Sequence, residues 1–323
     1  MPVRNGATTI LRAVRSVLDG TLRSIELIVV DDGSTDGSAD VVASLKDSRV
    51  RVLESGFEGI ATALNIGVKA AAAPFIGRMD VDDIASPYRL EWQVDALRRG
   101  QADIVGSRVR IVDLEGNAVA SMQRYERWIN DHCTWQDISG LRFVESPLVH
   151  PSVTARREVF ELGYRNGHFP EDYDLWLRAF AAGFRAEKLP DVLLDWVDGP
   201  GRLTRCDTRY SPEAFDRCRR EYLLQGPLRG GQPVDLWGAG KTGKPWLRWW
   251  RRMQRPVRYL YDINPRLIGE RIHGVVVETA EQIRAADGTM MIIAVGAEGA
   301  RELIRPALEA KGYILGRDAW FVA

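Results

Sequence analysis

Apolar residues recur along the first part of the chain in two alternating rhythms. Ile10, Leu11, Val14, Val17 and Leu18 fall on one helical face, and Ile60 to Ala72 and Pro87 to Arg98 repeat that spacing. Between them, Ile25 to Val30, Val50 to Leu53 and Phe75 to Met79 are short continuous apolar runs of strand length. This alternation predicts an α/β sheet flanked by helices. A later helix opens after Pro170 and carries the stripe Tyr173, Trp176, Leu177 and Phe180 at i, i+3, i+4 and i+7. The turn-forming stretch Gly226-Pro227-Leu228-Arg229-Gly230-Gly231-Gln232-Pro233 then marks a seam, so domains are expected at 1–225 and 226–323. Beyond it, strands at 234–237, 257–261, 275–277 and 290–295, with helices at 245–253, 279–286 and 298–311, predict a small Rossmann-like parallel sheet.

Composition changes this picture little. The 323 residues are 45% hydrophobic and 27% charged, which suits two globular domains. Lys plus Arg and Asp plus Glu number 44 each, so the broad basic field of a nucleic-acid binder is missing and no nucleic-acid partner is expected. Cys133, Cys206 and Cys218 have no metal-ligand spacing, and a reduced setting is the simplest reading. No apolar run reaches membrane-spanning length and the start lacks the apolar stretch of a secretory signal. The expectation is a cytoplasmic protein, at most peripheral on the cytoplasmic face of the membrane.

The candidate chemistry lies in three acidic clusters. Asp31-Asp32-Gly33-Ser34-Thr35-Asp36 ends one predicted strand and Asp80-Val81-Asp82-Asp83 ends another. Ligands on such sheets bind beyond the carboxyl ends of the strands, so both clusters belong on one rim. Asp-x-Asp suits Mg²⁺ or Mn²⁺, hard ions that take oxygen ligands and keep substrate phosphates in their shell. Asp83 is expected to cap the helix that follows. The third cluster, Glu171-Asp172-Tyr173-Asp174, opens the striped helix, where acids also favour the dipole.

Taken in order, Val30-Asp31-Asp32-Gly33-Ser34-Thr35-Asp36, Arg78-Met79-Asp80-Val81-Asp82-Asp83-Ile84, His150-Pro151-Ser152-Val153 and Glu171-Asp172-Tyr173-Asp174-Leu175-Trp176-Leu177-Arg178 resemble the bacterial family 2 glycosyltransferases. The resemblance runs from residue 1 to about 210. It implies the GT-A fold, a mixed sheet flanked by helices, and a nucleoside diphosphate sugar donor. It also implies Asp172 as catalytic base, Asp82 as metal ligand and Asp32 as the acceptor for a base imide N–H, with Asp31 fixing the turn. Asp80 would lie near the ribose or sugar. Pro2, Arg4, Asn65, Arg78, Arg202 and Arg205 complete the implied donor site, the last two on the Gly-rich loop Gly199-Pro200-Gly201-Arg202. Arg4 stands where many relatives place an aromatic residue, and its guanidinium can stack instead. Glu171 and His150 are secondary candidates. Members usually begin with a full apolar strand, whereas here Met1 falls where that strand should be ending.

The second domain offers Gly238-Ala239-Gly240-Lys241-Thr242-Gly243 between a strand and a helix, with Asp262 about twenty residues on. Gly238, Gly240, Gly243 and Asp262 are therefore nucleotide-binding candidates, with tight strand–helix packing as the structural alternative. The segment resembles the small nucleotide-sugar-binding domain of bacterial sugar acyltransferases. Trp246, Trp249, Trp250 and Met253 form a stripe on the 245–253 helix with Lys244, Arg248, Arg251 and Arg252 mostly elsewhere. Such a stripe packs on a sheet more often than it meets a membrane. The whole reads as an inverting, metal-dependent glycosyltransferase using a UDP- or dTDP-sugar and an acceptor hydroxyl of a glycan or lipid-linked glycan. The alternative is a nucleotide-sugar-binding sensor or assembly subunit without catalysis.

Overall fold

A computed structural model describes residues 1–199 and 201–323; Pro200 of the Gly-rich loop lies outside the described residues. The chain divides into two compact units, Met1–Trp135 with Pro147–Phe215, and Gln136–Ser146 with Asp216–Ala323.

In the first unit, strands Pro2–Val3, Leu27–Asp31 and Val50–Glu54 form a parallel sheet in that spatial order. The opening strand is two residues long. Its ladder is extended by Met1, whose amino group donates to the Ile28 carbonyl at 2.9 Å. Helix Ile10–Leu18 buries Ile10, Ala13, Val14, Val17 and Leu18, the positions its spacing put on one face, except that Ala13 replaces Leu11. The second sheet is mixed, with the order Phe75–Gly77, Thr154–Arg156, Ile104–Val112, Ala186–Val197, Ile84–Ala85. Its central pair is parallel and the other pairs are antiparallel.

Helix Arg89–Arg99 locks that sheet from within. The Gln93 amide donates to the Val105 and Ser152 carbonyls, and the buried Arg89 guanidinium donates to the Arg78 carbonyl. Gln93 Oε1 accepts the Thr154 hydroxyl at 2.7 Å, so both ends of this fully buried amide are satisfied. The helix begins after Tyr88, and Asp83 does not cap it. Asp83 instead accepts the Val197 N–H at 2.8 Å, joining the acidic turn to the long strand Ala186–Val197. The expected cap fails because a two-residue strand, Ile84–Ala85, separates the turn from the helix.

In the second unit, six strands run in the order Arg271–Ile272, Val275–Thr279, Val257–Asp262, Val234–Trp237, Met290–Ile293, Ala319–Phe321, all parallel except the first pair. Its core joins Trp237, Tyr261, Met291, Ile293 and Phe321 to Leu141, which comes from the inserted segment 136–146. The helix predicted over 279–286 is a single turn, Ala280–Gln282. Gln282 caps back onto the Thr279 N–H and Ile283 then leaves the helix to bury its side chain. No helix among the described residues is long and apolar enough to cross a membrane.

Candidate active site

The carboxyl end of strand Leu27–Asp31 turns sharply because Asp31 Oδ1 accepts the Ser34 N–H at 2.9 Å. Asp32, buried just beyond it, takes the Ser55 hydroxyl on Oδ1 at 2.6 Å and the Gly59 N–H on both oxygens at 3.1 Å. Oδ2 keeps acceptor capacity for one more donor. The opening turn lies against this loop: Ser34 Oγ accepts the Asn5 N–H and Asn5 Oδ1 accepts the Thr35 N–H. Gly6 sits so close to Val81 that a Cβ there would meet it at 2.6 Å, so the same turn also borders the Asp-x-Asp segment. Pro2 is buried in the short strand, paired with Val30.

Arg4 does stack, on a residue that the sequence pattern did not single out. Its guanidinium lies 3.8 Å from the centroid of Phe57, which is 61% exposed and held at φ +69°. Phe57 lies between Ser55 and Gly59, the two partners of Asp32, and against Gly33. An exposed aromatic ring in left-handed backbone is strained, and strain of this kind concentrates at ligand sites.

Arg78 is the shared neighbour of the remaining acids. Its guanidinium is buried, donates to the Met79 carbonyl, and pairs with Asp80 at 2.6 Å. Asp82 is pushed up to about 6 by burial and by the Asp80 charge, with Arg202 and Arg78 opposing. Two carboxylates that repel in this way mark a place where a cation would be favoured. Among the described residues no three His, Cys, Asp or Glu side chains form a ready metal cage. The neighbouring carboxylates of Asp80 and Asp82 suit Mg²⁺ or Mn²⁺, which would take one or two oxygens here and complete the shell from diphosphate and water.

Helix Glu171–Ala181 brings in the third cluster. Asp172 Oδ1 accepts the Tyr173 N–H at 2.7 Å, and burial, then the Glu171 charge, push its carboxyl up to about 7. Glu171 is differently placed: both its oxygens receive the Tyr210 hydroxyl, at 2.8 and 2.7 Å. Asp174 is buried under Arg165 and Arg178, which tie the helix to the preceding loop. The charge of Arg78 reaches Asp172, Glu171 and Asp82 and lowers the pKa of each, so the second and third acidic clusters lie within electrostatic reach of one buried cation.

Four expected site residues have other partners. His150 Nε2 lies 2.8 Å from the Tyr164 hydroxyl and its ring meets Trp176 edge-on; burial holds it neutral. The Asn65 amide clips the Tyr164 backbone through both its oxygen and its nitrogen, 2.8 Å each. Arg205 pairs with Asp198 at 2.6 Å. Arg202 pairs with the same Asp198 at 3.1 Å and lies over Trp196, yet its charge is still felt at Asp82 and Asp83.

In the second unit, packing accounts for two of the three motif glycines. A Cβ at Gly243 would stand 1.7 Å from the Gly238 carbonyl oxygen, and one at Gly238, at φ +120°, would meet the Ala294 oxygen at 2.5 Å. Gly240 faces open space. Asp262 accepts the Ala239 N–H at 2.7 Å and the Asn264 N–H at 2.9 Å, so it braces the glycine loop.

The geometry has close parallels. An O-antigen biosynthesis glycosyltransferase, WbnJ of Escherichia coli, is 26% identical over 224 residues, 65% of this chain and 82% of that one. An amylovoran biosynthesis glycosyltransferase, AmsE of Erwinia amylovora, is 28% identical over 57% of this chain and 68% of its own. Among solved structures, S. aureus TarS 1-349 in complex with UDP-GlcNAc superposes with a TM-score of 0.53 at 17% identity, covering 70% of this chain and 65% of that one. The mannosyltransferase PcManGT of Pyrobaculum calidifontis, in complex with GDP-Man and Mn²⁺, gives 0.50 at 20%, covering 71% and 61%. These likenesses show a GT-A fold. The sequence profile of a CoA binding domain matches residues 232–313, the parallel sheet of the second unit. That of Glycosyl transferase family 2 matches residues 1–163, half of the chain and both acidic strand ends, and on it the chain belongs to that family and is a glycosyltransferase.

Proposed function

We propose that the first unit transfers a sugar, with inversion, from a UDP- or dTDP-sugar to an acceptor hydroxyl in polysaccharide or glycolipid assembly. The observation that supports this most is the contrast between Asp172 and Glu171. Glu171 has both oxygens engaged by Tyr210, whereas Asp172 makes one backbone contact; burial raises both carboxyls, that of Asp172 to about 7. A general base works best with a pKa near the working pH. In the proposed step the acceptor oxygen attacks the anomeric carbon as Asp172 takes its proton. The bond from that carbon to the diphosphate oxygen breaks, and the nucleoside diphosphate leaves with the electron pair. Attack from the face opposite the leaving group inverts the configuration, and no covalent glycosyl intermediate is required.

Asp32 Oδ2 would accept the imide N–H of uracil or thymine, with the Arg4–Phe57 pair offering a stacking face beside it. Asp80 would lie by the ribose or sugar, and Arg202 would face the diphosphate. Asp82, with Asp80 beside it, would hold Mg²⁺ or Mn²⁺, which supplies charge neutralisation for the departing diphosphate. The names of the relatives from Escherichia coli and Erwinia amylovora support a polysaccharide acceptor.

The test is nucleoside diphosphate release from a panel of nucleotide sugars by the full chain, with Mn²⁺ and with EDTA, and product anomer assignment by NMR. Release from a UDP- or dTDP-sugar that needs the metal and inverts the anomer is expected. Turnover indifferent to EDTA, or retained configuration, would overturn the reading.

A further inference from the structure

Sugar transfer leaves unused the helix Gly243–Arg252 of the second unit. Between Asp235 and Asp262 every charged residue is Lys or Arg, in a chain whose charges cancel overall. Two of these have partners: Arg258 pairs with Asp235 and Asp287, and Arg255 donates to the Leu228 carbonyl. Lys241, Lys244, Arg248, Arg251 and Arg252 are exposed, and their side chains make no ion pair among the described residues.

With 3.6 residues per turn, Lys244, Arg248, Arg251 and Arg252 share an arc of about 100°. Trp246 and Trp250 occupy the opposite side, with Leu247 at its edge beside Arg251, and all three are buried. Two tryptophans of the stripe, Trp246 and Trp250, are therefore in the packing face, with Trp249 half-buried and Met253 exposed. A solvated helix face ordinarily mixes signs at i and i+4, and like charges at that spacing repel. Here the burial of Trp246 and Trp250 holds the repelling charges in one row, about 12 Å from Lys244 to Arg252 at 1.5 Å per residue. Arg220, between the Trp246 and Trp249 rings at 4.4 and 4.9 Å, is paired with Asp216 at 2.7 Å and adds no free charge to the row.

We propose that this basic face docks the protein on a lipid bilayer rich in anionic headgroups. A straight, convex row of unpaired cations complements a flat array of phosphates, and the binding is electrostatic, with the tryptophans left in the fold. Each Lys or Arg near such a surface strengthens binding about fivefold, since it contributes about a kilocalorie per mole.

The test is co-flotation of the full chain with vesicles. Binding is expected to vesicles of phosphatidylcholine mixed with phosphatidylglycerol and not to phosphatidylcholine alone, and it should fade as salt is raised. Combined K244Q, R248Q, R251Q and R252Q should weaken it by several hundredfold, following the fivefold step per charge, with circular dichroism and transfer to a soluble acceptor unchanged. Salt titration of the unaltered protein gives a second readout free of any folding effect. Equal binding to neutral vesicles, or undiminished binding by the fourfold variant, would overturn the proposal. So would retention on duplex DNA or heparin as strong as on the anionic vesicles, which would assign the face to soluble polyanions.

Discussion

At the scale of single residues, the structure separates neighbours that look equivalent in the sequence. Glu171 and Asp172 are adjacent acids at one helix start, yet only Asp172 is left with an oxygen open and a carboxyl at about 7. The base must be ionised to accept a proton, so kcat/KM should fall about tenfold per pH unit below 7 and level off above it. A flat profile across that range would remove Asp172 from the role. Asp172→Asn should lower kcat by about 10² to 10⁴ while donor affinity is kept, whereas Glu171→Gln should act chiefly on stability. Phe57 was invisible to pattern reading because a lone aromatic between glycines belongs to no apolar period. Its exposure, its left-handed backbone and its contact with Arg4 set it apart. Phe57→Ala should raise the donor KM roughly five- to a hundredfold, the range of aromatic–base stacking, with kcat little changed. An unchanged KM would show that the ring does not touch the donor.

At the scale of elements, periodic segments were legible and their chemical endings less so. Helix Ile60–Ala70, strand Val50–Glu54 and the buried stripe of Glu171–Ala181 lie within a residue or two of the positions that spacing marked. A two-residue strand has no period to read, and Ile84–Ala85 is where the reading of Asp83 as a cap failed. Buried arginines were equally hidden: Arg78 and Arg89 have charged neighbours in sequence, but their roles come from carbonyls and acids that the fold assembles around them. The tether from Asp83 to Val197 joins the acidic turn to the longest strand of its sheet, so its loss should loosen both. Asp83→Ala would leave the buried Val197 N–H unpaired at a cost of about 1–3 kcal/mol. Asp83→Asn keeps an acceptor of the same shape. Thermal unfolding should therefore place Asn close to the parent and Ala clearly below it; equal melting of the two would mean that the tether carries no stability.

At the scale of the whole molecule, the chain divides between Phe215 and Asp216, ten residues ahead of the Gly/Pro seam expected to mark the boundary, and the inserted segment 136–146 had no punctuation at all. Its membership in the second unit comes from Leu141 in that core and from Asp137 pairing at 2.8 Å with Arg305, 168 positions away in sequence. Two units with separate cores should respond to separate ligands. A nucleotide sugar with Mn²⁺ that binds only the folded first unit at a hundredfold excess over Kd adds about 2.7 kcal/mol to its stability, roughly 5–10 °C for a unit of this size. Gly243→Ala supplies the contrast: its Cβ would press on the Gly238 carbonyl at 1.7 Å, so the glycine loop must distort. Calorimetry of that variant should show the second unit melting earlier while the donor-induced shift of the first is retained. If the substitution abolishes the donor shift as well, the two cores unfold as one, and the Rossmann-like unit becomes part of what holds the transferase site together.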